Sequence, residues 1–169
     1  MPLRDPTQQE VYDQLNIGSN WGSSVITYSF PVTSDGLNTS SGEGPGFTAM
    51  LASGQVAARL AISLWDDLIT ADFQEIPPGS SSVSSDLEFG MTTTGPSYAW
   101  ANFPNVGSIW FNPIYGASSG TNNIVSPTIG QHGFISVIHE IGHALGLNHA
   151  GNYNGSGNCE VVPEIWTGC

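Results

Sequence analysis

Lysine is absent from this sequence, and Arg4 and Arg59 are the only strong cations against fourteen Asp and Glu, for a net charge of −12. That charge repels phosphate backbones and anionic lipid headgroups, so neither nucleic acid nor a membrane surface is an expected partner. No apolar run approaches the roughly eighteen residues of a membrane span, and the N-terminus lacks the basic and apolar regions of a secretory signal. Cysteine is missing until Cys159 and Cys169, so neither a catalytic thiol nor a nucleophile elbow around a serine is expected to carry chemistry. No internal repeat is visible.

What is present suits one globular domain over residues 1–169, with 39% hydrophobic side chains and room for a core. Residues 1–20 read as an N-terminal docking arm, with Val11, Tyr12, Leu15 and Ile17 along one side of a short helix. A β-branched and aromatic strand is expected at 25–30, stopped by Pro31. From 48 to 69 the spacing predicts a helix of about five turns, with Val56, Leu60, Leu64 and Leu68 recurring every four residues and Ala57, Ala61 and Trp65 beside them, to cover one face of a sheet. Asp66 and Asp67 close it as solvated charges. Short strands come next at 73–76 and 87–91. Two aromatic-rich runs, 98–103 and 108–111, flank a turn at 104–107 and should be neighbours.

Residues 139–149 read HEIGHALGLNH. On a helix His139 and His143 leave one face a turn apart, while Glu140 points about 100° away and is placed to act as a base. Gly146 can end the helix in a conformation closed to other residues, letting the chain return His149 to the same point. Three neutral imidazoles leave one position of a tetrahedral zinc open for water, the pattern of a catalytic site. Glu140 would then take a proton from that water as it attacks a peptide carbonyl. His132 reads as a polar residue near the start of the helix.

HEIGHALGLNH is similar to the extended zinc signature HExxHxxGxxH of the metzincin metalloproteases. The wording around it resembles the serralysin-like branch: ITYSFP at 26–31, AARLAISLWDD at 57–67, YAWA at 98–101, IWFNP at 109–113 and HAGNYNG at 149–155, in that order. The resemblance implies an α+β fold, the metzincin upper lobe. This is a twisted, mostly parallel sheet with an antiparallel edge strand, a long backing helix and a zinc-bearing helix. It implies zinc as cofactor and a protein or peptide substrate lying along the edge strand at Tyr98, Ala99, Trp100 and Ala101. It also implies secretion, and a monomer is expected.

The last twenty residues depart from the branch, in which a methionine-containing turn, a zinc-reaching tyrosine and glycine-rich calcium-binding repeats come after the third histidine. The only methionines are Met1, Met50 and Met91. Trp166, within EIWTG, stands where the methionine would be. Residues 150–169 are therefore expected to form a short lower lobe or tail, with Asn152, Tyr153 and Asn154 near the cleft. Calcium is a second candidate ion, although Asn152 stands where relatives carry an acid. Cys159 and Cys169 could form a disulfide restraining the tail by roughly 2–3 kcal/mol, or stay as free thiols. Two readings stand side by side: a small zinc endopeptidase, and a zinc-binding but inactive or truncated module that at most binds peptides.

Overall fold

The computed structural model describes residues 7–77, 84–95 and 98–149. The expectations for Cys159, Cys169, Trp166, Asn152, Tyr153 and Asn154 fall outside them.

Alternating apolar residues make β1 (Val25–Ser29), with Ile26 and Tyr28 buried and the intervening positions half-buried. A crossover through α2 (Ala52–Asp66) leads to β3 (Asp72–Glu75), which pairs parallel to β1 from Val25↔Asp72 to Tyr28↔Glu75. On its other side β1 meets β4 (Leu87–Thr92), also parallel, and β4 pairs parallel with β6 (Ser108–Phe111). The edge is β5 (Ala99–Ala101), antiparallel to β6, so the order is β3-β1-β4-β6-β5. A two-residue strand, β2 (Phe47–Thr48), pairs antiparallel with the end of β4. The expected α+β class, parallel sheet and antiparallel edge are all present.

The inner strands are largely buried on both sides, but only one face is apolar; the other carries Glu88, Gly90, Thr92, Ser108 and Trp110. Leu87, Phe89 and Met91 of β4 and Ile109 and Phe111 of β6 face a core shared with Ala58 and Ala61 of α2. Phe134, Val137 and Ile141 of α3 (His132–Ala144) complete it. Trp110 alternates to the opposite face, edge-on to Phe47 at 6.2 Å between ring centroids. There it lies so close over Gly90 that a Cβ would sit 2.6 Å from its ring.

The backing helix corrects the expected phase and length. It spans Ala52–Asp66 and buries Gly54, Ala57, Ala58, Ala61 and Ile62, whereas Val56, Leu60, Leu64 and Leu68 are 64, 37, 42 and 76% exposed. The buried set keeps the i, i+3, i+4, i+7 rhythm of one helix face, and its small side chains let the helix approach the sheet closely. Val56 starts on the far side of the helix, and steps of four turn the row by only about 40° each, so Leu60 and Leu64 are still outside the buried face where the helix ends.

Arg59, the only Lys or Arg among the described residues, joins this helix to β3. Its Nε and Nη2 donate to the two carboxylate oxygens of Glu75, both at 2.7 Å, with the guanidinium 4.7 Å over the Phe30 ring. Asp66 and Asp67 are exposed, as expected, although Asp66 also accepts the Phe73 N–H at 3.3 Å.

The N-terminal arm forms α1 (Gln8–Leu15), opened by a capping box in which Thr7 Oγ1 accepts from Glu10 N and Glu10 Oε2 accepts from Thr7 N. None of its residues is buried, so the arm does not dock through the side of Val11 and Tyr12. It docks instead through residues 15–21, from the last residue of the helix onward.

Candidate metal centre

Helix α3 is pinned at its middle by Trp65 of α2, whose Nε1 donates to the Ile138 carbonyl at 3.1 Å. His139 and His143 therefore ride on a rod held from both the sheet and α2. It starts at His132, which is its first residue and not a residue outside it.

The helix ends in a two-bond cap. Gly146 N donates to His143 O and Leu147 N to Gly142 O, each at 2.9 Å, around Gly146 at φ +105°. This reverses the chain so that His149 returns toward the helix face. The Nε2 atoms of His139, His143 and His149 lie 3.0 Å from one another. Among the described residues they are the one set of three His, Cys, Asp or Glu ligand atoms within 4.8 Å, and Glu140 is not in it.

The chemistry of this donor set suits zinc. Tetrahedral bonds of about 2.0–2.1 Å space neighbouring nitrogens by about 3.3 Å, close to the separation found. His143 Nδ1 donates to the Leu147 carbonyl at 2.7 Å, so in the neutral ring Nε2 carries only its lone pair. Burial first, then the charges of His143 and His149, push His139 down to about 4, which keeps it neutral and able to ligate at physiological pH.

Glu140, one residue on, is 7% exposed, and burial alone pushes its carboxyl up to about 7. A carboxylate with that proton affinity is poised to take and return a proton near neutral pH.

The chain matches no protein-family model. A serralysin of Proteus mirabilis is 32% identical over 149 residues, 79% of this chain and 29% of that protein. Serralysin A of Dickeya chrysanthemi is 33% identical over 150 residues, 83% of this chain and 30% of its own length. The chain is a serralysin-like metzincin. Metalloprotease AprA of Pseudomonas entomophila (strain L48) is 33% identical over 102 residues, 60% of this chain and 21% of that protein. The chain thus spans 29–30% of the length of the first two relatives.

In this serralysin-like chain the four edge-strand residues divide by role. Asn112 N bonds Tyr98 O and Asn102 N bonds Ser108 O, each at 2.9 Å. With Trp100 opposite Trp110, the alternation of an antiparallel ladder turns the main-chain groups of Ala99 and Ala101 to the open edge. The large side chains are anchors instead. Trp100 Nε1 donates to Glu43 Oε1 at 3.1 Å, on a carboxylate that is 1% exposed. Tyr98 Oη donates to Asn122 O at 2.8 Å, and its ring meets Tyr115 and His132 at 5.0 and 5.6 Å. His132 thus belongs to this aromatic cluster and not to the histidine triad.

The spelling GxSxG does occur, at Gly116, Ser118 and Gly120, contrary to the expectation of no serine elbow. Ser118 is an exposed residue in the 3-10 stretch Ala117–Asn122, not at a strand-to-helix turn, so the elbow's geometry is absent there.

Sequence reasoning marks Phe103 within the edge run 98–103 but not its contact with the triad, where its ring meets that of His143 edge-on at 5.9 Å. It also missed the contacts of Leu15, Ile17 and Trp21 with the loop that delivers His149. Phe103 lies in the aromatic-rich run and Leu15 and Ile17 on the expected docking side of the arm, but nothing in the sequence marks their partners, and Trp21 left no signal.

Proposed function

We propose that this chain is the catalytic unit of a zinc-dependent endopeptidase that acts outside the cell, with His139, His143 and His149 holding the ion and Glu140 as general base. One observation carries the reading: three imidazole nitrogens converge at 3.0 Å next to a buried carboxylate that is not one of them. Bound there, zinc supplies Lewis-acid charge that polarises a peptide carbonyl and brings the pKa of a nearby water toward neutrality.

The chain's own groups do the rest. An extended peptide adds to the open side of β5 through the N–H and C=O of Ala99 and Ala101, which sets the backbone in register without reading its side chains. The Glu140 carboxylate accepts the proton of the attacking water and delivers it to the departing amide nitrogen, so the bond breaks without a covalent acyl intermediate. Glu140, whose burial raises its pKa, would be favoured in its ionised form beside an ion held by the three histidines, and so be ready to accept.

Replacing Glu140 by Gln tests the reading on an unfolded protein substrate. The zinc-loaded parent should cleave it, and Glu140→Gln should retain zinc while losing activity by roughly 10²–10⁴-fold, the span of a general base. Absence of cleavage by the zinc-loaded parent would instead make the chain a zinc-binding, inactive module.

A further inference from the structure

The stretch after α1 lies against the metal loop, although the proposed chemistry makes no demand on it. Leu15 O accepts the Asn148 N–H at 2.6 Å, Ile17 N donates to Gly146 O at 3.2 Å, and Asn16 and Leu147 form an isolated antiparallel bridge between them. These residues act as a one-bridge strand alongside the segment that delivers His149. Trp21 Nε1 donates to Ala144 O at 2.8 Å, satisfying a carbonyl in the last turn of α3. Ser19 is packed so tightly here that a Cβ on Gly146 would sit 2.4 Å from its carbonyl oxygen. Asn105 Nδ2 donates to Ser19 Oγ at 3.1 Å, tying the same stretch to the β5–β6 turn.

The three candidate ligands are not held equally. His139 and His143 are fixed by α3, whereas His149 lies beyond any regular element of the described chain. The helix's own cap reaches only as far as Leu147 N. Among the described residues the Asn148 N–H donates to Leu15 O, and the His149 N–H donates to Asn148 Oδ1 at 2.9 Å.

We propose that residues 15–21 are a positioning clamp for His149, so that the N-terminal arm sets how tightly the triad holds its metal. The inference rests on the histidine triad being the metal site. Loss of a group that orients a ligand costs about 10–100-fold in metal affinity, and the clamp should act in that range.

Ile17→Pro removes the donor to Gly146, and Asn16, at ψ 121°, already has the extended backbone that proline requires of its predecessor. Trp21→Phe removes the donor to Ala144 while keeping an aromatic ring. Each is made in the full chain and again in a His149→Ala background. Zinc affinity is read by competition with a chromophoric chelator, geometry by the visible bands of the cobalt-substituted protein, and folding by thermal unfolding of the metal-free forms. The clamp predicts roughly 10–100-fold weaker zinc binding in each single variant and cobalt bands shifted toward those of His149→Ala. It also predicts a smaller loss when the variants are combined with His149→Ala, the remainder passing through Leu147 O to His143.

Parent-like affinity in both variants, or an equal loss with and without His149, overturns the clamp. If Ile17→Pro fails to fold, Trp21→Phe decides alone. A parent that takes up no zinc, or a His149→Ala protein that binds as the parent does, overturns the metal-site reading itself and the clamp with it.

Discussion

Nδ1 of His143 lies 2.7 Å from the carbonyl oxygen of Leu147. The second candidate ligand is thereby oriented by the same turn that brings in the third, so errors in that turn reach two of the three donors. Leu147 can be there only because Gly146 takes a φ of +105°.

Gly146→Ala should therefore cost about 1–3 kcal/mol, from a strained backbone and a Cβ driven into Ser19 O. Chemical denaturation of the metal-free protein measures it. Stability within experimental error of the parent would mean that the turn does not have this shape in solution.

Zinc should raise the unfolding temperature, since an ion bound only by the folded chain adds about 2.7 kcal/mol at a free concentration one hundred times its Kd. For a chain of this size that is about 5–10 °C. Calorimetry before and after chelation reads the shift, which His143→Ala should abolish. An equal shift in that variant would place the ion elsewhere.

Glu88 should make the protein less stable in mild alkali than in acid. Burial pushes its carboxyl up to about 7, against an ordinary value of 4.5, so between those values the unfolded chain ionises first. Raising pH through that window lowers stability, with the loss complete above it and absent below. The side chain is only half-buried, so solvent screening leaves about 1 kcal/mol, or roughly 2–4 °C. Glu88→Gln should gain that much at pH 8 and nothing at pH 4 in thermal scans. A gain of the same size at both pH values would point to packing and not to charge.

The phase of α2 can be checked with two substitutions of opposite sense. Leu64, 42% exposed, should tolerate Ser within about 0.5 kcal/mol. Ala58, 0% exposed, should lose about 1–3 kcal/mol on replacement by Leu, because a packed interior has no space for the added carbons. Urea midpoints distinguish the cases, and the reverse ranking would restore the leucine row to the interior.

The parts of the molecule legible from sequence are those set by local rules. Helical periodicity puts His139 and His143 on one face, glycine's freedom explains the reversal at Gly146, and the breaks around 104–107 mark the β5–β6 turn. Alternation likewise reveals β1, although β3 is shifted by one residue from the expected 73–76. On α2 the leucines point to the wrong face, because burial falls mainly on alanine and glycine, which carry little hydrophobic signal; of the expected pattern Ala57 and Ala61 are buried and the larger leucines remain outside. At β5 the sequence marks Tyr98 and Trp100 by their size, but the ladder register makes Ala99 and Ala101 the residues with open main-chain groups. Glu43, buried beneath Trp100, sits in a glycine- and serine-rich loop with no pattern to announce it. The contacts of Leu15, Ile17 and Trp21 are main-chain bonds or single donors between distant segments, and no periodicity encodes those.

The bond from Trp21 to Ala144 closes a span of 123 residues. Joining such remote segments carries an entropic penalty that pairing of the intervening sheet reduces by bringing them near. On the ribosome, Trp21 emerges early and waits for nearly the whole described chain before its partner exists. The arm and the turn beside the three histidines are thus joined only once nearly all of that chain exists.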